Sequence, residues 1–156
     1  MADSINQGGK FYICATPSEV DLLQAAFELL TWIEVEKIVT LPEISVTENI
    51  VESAYIDSNM VSARKGSKNG NESSVEVGFD YAATGQAAVL TAAGTKFKYP
   101  VKRELNDMPS GGSTNTITYS RALITLPVRS GGGVDDMVND TFTLKVQQVP
   151  IEVLAT

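Results

Sequence analysis

The chain has 156 residues, 43% of them hydrophobic, with 12 basic and 19 acidic side chains for a formal charge of −7, one cysteine and no histidine. That length suits one domain able to bury roughly 70% of its unfolded surface. The composition excludes wholesale disorder, an intrachain disulfide and any histidine chemistry, and the acidity argues against gripping a polyanion.

The charge is uneven. Residues 1–57 hold ten acids and two bases, Lys10 and Lys37, a balance of −8; residues 58–156 hold nine acids and ten bases, or +1. The first residues lack the basic and apolar regions of a secretion signal, and no apolar run is long enough for a membrane span, so folding in the cytoplasm is expected. Cys14, within Phe11-Tyr12-Ile13-Cys14-Ala15, reads as a small buried hydrophobe, because a nucleophilic thiol would need an activating partner.

In chain order, residues 1–9 read as a flexible arm with Gly8-Gly9 as its hinge. Residues 10–16 read as a strand that Pro17 stops. In residues 18–30, Val20, Leu23, Phe27 and Leu30 fall at helical spacing behind a possible Ser18 cap, which predicts a short helix or helical loop. Residues 32–41 are strand-like up to Pro42. Residues 46–57 read as a strand with Ile50, Ala54 and Ile56 on one side and Glu48 and Glu52 on the other. Residues 61–74 read as a long mobile loop, polar and marked by the Asn69-Gly70 turn signal.

Val75, Val77, Phe79 and Tyr81 then alternate with Glu76, Gly78 and Asp80, the period of a half-buried strand. Residues 84–93 switch to a helix-compatible composition closed by Gly94. Alternation resumes over residues 96–104, where Pro100 favours an edge or a bulge. Residues 116–128 are rich in Thr and Ile, and Gly131-Gly132-Gly133 breaks the chain again. The last long strand, residues 141–149, turns Phe142, Leu144 and Val146 inward and Thr143, Lys145 and Gln147 outward; Pro150-Ile151-Glu152-Val153 follows. The sum is a mainly β fold, a β-sandwich or half-barrel with one short flanking α-helix, in a single domain over residues 1–156.

Chemistry is scarce. Asp135, Asp136, Asn139 and Asp140 cluster hard oxygen ligands, but their spacing is not that of a calcium loop, so they read as a solvated turn. Ser130-Gly131-Gly132-Gly133 lacks the Lys and hydroxyl of a phosphate cradle. Glu34 and Glu36 lie two apart, the spacing of a solvated strand face more than of an acid–base pair. Trp32 reads as packing. No catalytic residue, cofactor or metal is expected, and the chain is expected not to be an enzyme.

Three stretches, taken in order, carry a resemblance: Thr31-Trp32-Ile33-Glu34-Val35-Glu36-Lys37-Ile38-Val39-Thr40-Leu41-Pro42, Val75-Glu76-Val77-Gly78-Phe79-Asp80-Tyr81, and Gly85-Gln86-Ala87-Ala88-Val89-Leu90-Thr91-Ala92-Ala93. They resemble the tail tube (major tail) proteins of long-tailed bacteriophages. In that family an alternating strand runs into a short helix marked by Gly-Gln, then into a strand like residues 96–101. The family's chain ends near a segment similar to Asp140-Thr141-Phe142-Thr143-Leu144-Lys145-Val146 with a following Pro. The likeness spans residues 10–153 and departs at Ala83-Thr84, where many relatives place acids and a Pro before the helix.

The resemblance implies a tail-tube-like sandwich that assembles as hexameric rings stacked into a hollow tube, the conduit for genome ejection. The implied partners are further copies of the chain, a tape measure protein, and tail tip and tail terminator proteins, with genomic DNA passing through without specific binding. It places the protein in the virion after folding in the host bacterial cytoplasm. Glu34, Glu36, Glu48, Glu52, Glu76 and Asp80 are candidates to line the lumen, where carboxylates would repel phosphates. Arg64, Lys65 and Lys68 are candidates for contacts between rings. Two other readings stay open: another assembly protein, such as a secretion-tube or capsid decoration protein, and a carbohydrate- or receptor-binding β-sandwich.

Overall fold

The structure is a computed structural model that describes residues 5–156. Along the chain run β1 (Lys10–Cys14), α1 (Gln24–Glu28), β2 (Trp32–Glu34), β3 (Ile38–Thr40), β4 (Val46–Ser53), β5 (Ser62–Gly70) and β6 (Glu72–Gly78). After α2 (Thr84–Ala93) come β7 (Tyr99–Glu104), β8 (Ile117–Ile124), β9 (Val128–Arg129), β10 (Asn139–Val146) and β11 (Ile151–Val153).

One antiparallel sheet takes the order β2-β1-β7-β8-β10-β6-β3. Strand β8 pairs along one edge with β7, while its other edge is shared between β11 at Ile117–Tyr119 and β10 at Ala122–Ile124. β9 pairs with β10 at Asp140 and Thr141. β4 and β5 form a separate two-stranded ribbon.

The sheet curls strongly, and its connectivity requires it. Strands β2 and β3 stand at opposite ends of the path, yet only Val35-Glu36-Lys37 separates them. Four Cα steps reach at most ~15 Å. The two ends therefore meet along a seam, and the interior fills with side chains. Phe11, Ile13, Val35, Val75, Val77, Tyr99, Val101, Ala122, Phe142, Leu144 and Val146 make the core. The alternation expected for the last long strand is present: Asp140, Phe142, Leu144 and Val146 are buried, and the residues between them are half-buried. Pleating alone produces that pattern once one face meets the core. Helix α2 packs on β1, β2 and β8, burying Gly85, Val89 and Ala92 at helical spacing.

Several sequence expectations need correcting. The helix expected in residues 18–30 shrinks to α1, which begins after Leu23 and not at a Ser18 cap. Val20 and Leu23 are exposed, Phe27 alone reaches full burial, and the Ser18 hydroxyl donates to the Val20 carbonyl. Too few apolar contacts lie on that side to sustain more than five residues. The single strand expected over residues 32–41 is two, because Lys37 takes φ +57° and redirects the chain to a different neighbour.

Residues 61–74, expected as a loop, are mostly β5 and the start of β6. Their backbone groups pair with β4 from Val46↔Gly70 to Ser53↔Ser62, which is where a polar segment without core contacts can satisfy its ladder. Pro100 is not at a sheet edge, since β7 lies between β1 and β8. It sits one residue beyond the β1 ladder, whose last partner is Val101, so its missing N–H costs no bond there. Of the arm expected over residues 1–9, residues 1–4 lie outside the described residues. Within residues 5–9, the Gly9 N–H donates to the Asn6 carbonyl at 3.0 Å and Gly8 takes φ +80°.

Candidate functional site

The seam explains the Gly85-Gln86 pair. Gly85 lies against the Glu34 carbonyl and the Val35 Cα so closely that an added Cβ would overlap both. Only glycine lets α2 approach the linker between the two sheet ends this closely. One residue on, Gln86 Nε2 donates to the Gly78 carbonyl at 2.7 Å and to the Glu36 carbonyl at 3.3 Å, and its Oε1 accepts the Asp80 N–H at 3.1 Å. One side chain thus ties the β6 end to the β2–β3 linker. Asp80 accepts the Ala82 N–H and pairs with Lys37 Nζ at 3.0 Å, and these two contacts hold its carboxyl below the ordinary range. Gly94 caps α2 at φ −73°, an ordinary helical value.

The ribbon leaves the body at the opposite end of β6. Its base is fixed by the Asn71 N–H donating to the Ser45 carbonyl and the Val146 N–H donating to the Asn71 carbonyl, at 2.9 and 3.0 Å. Gly70 lies so close to the Val146 carbonyl that a Cβ would overlap it. Every residue of β4 beyond Val46 is exposed, as is every residue of β5 before Gly70. Glu48 holds Lys65 and Lys68, each at 3.5 Å. The register with β5 shifts between Glu48 and Ile50, and every residue of β4 beyond Val46 is exposed, so the expected division of an apolar from an acidic side does not exist. Ile50, Val51, Tyr55, Ile56, Met60 and Val61 are all exposed.

The solvent face of β6 and β10 is a polar panel. Thr141 stands opposite Glu76, Thr143 opposite Ser74 and Lys145 opposite Glu72. Asn139 Nδ2 donates to Glu76 Oε1 at 2.8 Å, and Lys145 Nζ lies 3.8 Å from Glu72. The six candidate carboxylates are not gathered there. Glu76 is on this panel; Glu34 ends β2; Glu36 is in the seam linker; Asp80 follows β6; and Glu48 and Glu52 ride on the ribbon. The six lumen candidates are thus spread over the sheet, the seam linker and the ribbon.

On the outer face of β1, β7 and β8, Phe27 of α1 stacks on Tyr119, with ring centroids 5.3 Å apart, and Trp32 lies 5.9 Å from Tyr119. Lys102 Nζ sits 4.1 Å above the Tyr12 ring. Burial, with Glu104 and Glu34 nearby, pushes the Tyr12 hydroxyl up to about 12, and burial lowers Lys102. Beside this cluster the buried Arg121 guanidinium donates to Gln148 Oε1 at 3.0 Å, to the Ser18 carbonyl at 2.9 Å and to Asp21. Gln148 Nε2 in turn donates to the Leu22 carbonyl at 2.7 Å. This clamp pins residues 18–22 to the sheet. Sequence reading missed it, although one base inside the apolar run of β8 was its signal.

Asp136 Oδ2 accepts the Gly133 N–H at 2.7 Å, so the Asp135-Asp136 segment is a turn of the β9–β10 hairpin. Next to that hairpin lies a groove of about 410 Å³ between α2, Phe79, Tyr81 and Pro127. Arg129 forms its polar wall, pairing with Asp140 at 2.9 and 3.2 Å while covering the Phe79 ring at 3.7 Å.

A curled sheet closed by a seam helix, with one ribbon projecting from it, has counterparts among solved structures. The chain superposes on a subunit of the hybrid structure of the SPP1 tail tube with a TM-score of 0.63 and 15% identity, covering 99% of this chain and 82% of that one. A chain of the anti-feeding prophage (AFP) baseplate, 6-fold symmetrised, aligns with a TM-score of 0.58 and 13% identity over 95% of this chain and 92% of that one. No protein-family model matches the sequence, and no curated protein sequence matches it. No helix among the described residues is long and apolar enough to cross a membrane.

Proposed function

We propose that this protein is a tail tube protein: a structural, non-enzymatic virion component whose copies join side by side into hexameric rings and stack into a hollow tube for genome ejection. The observation that carries the reading is the two-stranded ribbon projecting from a curled sheet, in a fold that covers nearly the whole chain against the SPP1 tail tube. A projecting two-stranded arm without core packing along its length is a liability in a monomer and an interface in an assembly. On this reading Arg64, Lys65 and Lys68 lie between successive rings. The acidic body repels the phosphates of DNA passing through, so that the genome slides without binding. Tail tip, tape measure and terminator proteins are the partners that a tube of defined length requires.

Electron microscopy of the concentrated protein tests this. Hollow tubes with six-fold cross-sections are expected. Protein that stays monomeric at high concentration, with and without a tail tip template, would overturn the reading.

A further inference from the structure

The ribbon and the groove stand at opposite ends of the same two strands. Strand β6 begins at Glu72, next to the ribbon base, and ends at Gly78, beside Phe79 and the groove; β10 runs antiparallel from the groove at Asp140 to the ribbon base at Val146. We propose that the tip of the ribbon of one copy docks into the α2 groove of the next copy. This inference rests on the tube reading for its repeating context and adds the residues that meet.

Three observations support it. The tip carries solvent-exposed apolar side chains, with Ile56 fully exposed and Met60 82% exposed, at the end of strands whose residues beyond the base are all exposed. The groove is apolar where Phe79, Tyr81, Leu90 and Pro127 line it, and Leu90 and Tyr81 are exposed there without a partner. Paired apolar surfaces of this kind mark a contact site.

Charge points the same way. Residues 46–70 carry three acids (Glu48, Glu52, Asp57) and three bases (Arg64, Lys65, Lys68), a balance of zero, so the other residues hold the whole −7. A neutral ribbon approaches an acidic copy without the repulsion that opposes body-to-body contact. Arg64 has no ion-pair partner among the described residues, and neither do Asp135 and Asp136 on the hairpin beside the groove.

The two surfaces differ and lie at opposite poles, so copies in the same orientation repeat the contact head to tail. Strands of eight and nine residues give the ribbon a reach of ~25 Å, enough to carry its tip clear of its own body.

The test uses single-cysteine variants of the full chain in a Cys14→Ala background. Ile56→Cys and Leu90→Cys, carrying tags of different size, are mixed under assembly conditions and oxidised. A disulfide linking the two different chains is expected, together with loss of that linkage when Tyr81→Asp is added to the Leu90→Cys chain, and with loss of long tubes in Leu90→Asp and Tyr81→Asp. Both substituted side chains are exposed, and an unchanged melting curve verifies folding. Tubes that form normally without the linkage, or from both aspartate variants, overturn the docking and leave the tube reading standing. Linkage in oligomers that never elongate upholds the docking and overturns the tube reading, and a wild-type chain that never associates overturns both.

Discussion

The α2 backbone at Gly85 touches the Glu34 carbonyl at the point where the two ends of the sheet come together. That single approach positions the Gln86 amide to bridge the end of β6 and the β2–β3 linker. A helix two residues out of phase would place a larger side chain on the seam and hold it open.

Gly85→Ala should therefore destabilise the fold by about 1–3 kcal/mol through overpacking against backbone that cannot retreat. Gly94→Ala is the matched control, since Gly94 has helical φ and no close neighbour; it should be neutral or stabilising by up to ~1 kcal/mol. Urea titration of the two variants measures both.

Gln86→Leu keeps the size of the side chain and removes three hydrogen bonds. It leaves the Gly78 and Glu36 carbonyls and the Asp80 N–H without this partner, at a cost of about 1–3 kcal/mol. The Asp80 amide should exchange with solvent faster in the variant, while exchange in the middle of β10 should follow only the global loss.

Asp80 links the seam to pH. Its folded carboxyl is depressed below the ordinary 3.8 by the Ala82 N–H and Lys37. Its contribution is thus complete above that value and is lost as pH falls through the lower folded value. Wild type should exceed Asp80→Asn in unfolding midpoint at pH 7, and the gap should narrow at an acid pH below 3.8. An equal gap at both pH values would show that the carboxylate charge is not what matters.

Arg121→Met should release residues 18–22 and destabilise by about 1–3 kcal/mol, because the Gln148 and Ser18 acceptors lose a charged donor. Amide exchange at Leu22 should quicken more than in the core of β1.

Shortening the ribbon to the pair Thr47↔Asn69 with an Asn-Gly turn should leave the melting temperature of the monomer unchanged. The excised residues bury nothing, and exposed ion pairs such as Glu48–Lys65 contribute only about 0–1 kcal/mol. Tube growth should be lost.

The sequence by itself determined the local elements where one period dominates. The helix of residues 84–93 ends where its apolar, Ala-rich composition meets Gly94, and the inward set Phe142, Leu144 and Val146 follows from the two-residue repeat of a strand. The β class was legible for the same reason, whereas the Gly85-Gln86 mark was carried by the resemblance and the burial of Cys14 by the lack of an activating partner for its thiol.

Tertiary structure decided the rest, since it depends on partners distant in the chain. Strand β5 looks like a loop because it buries no side chain; only pairing with β4 makes it a strand. The residue spacing of 32–41 does not show that Lys37 hands the chain from one sheet end to the other. Arg121 is a lone base within β8, but nothing in the sequence names its partner Gln148, 27 residues away, until the fold buries the two together over residues 18–22. The positions of the six carboxylates were also settled by topology, because alternation assigns a face to a residue but not the sheet to which that face belongs.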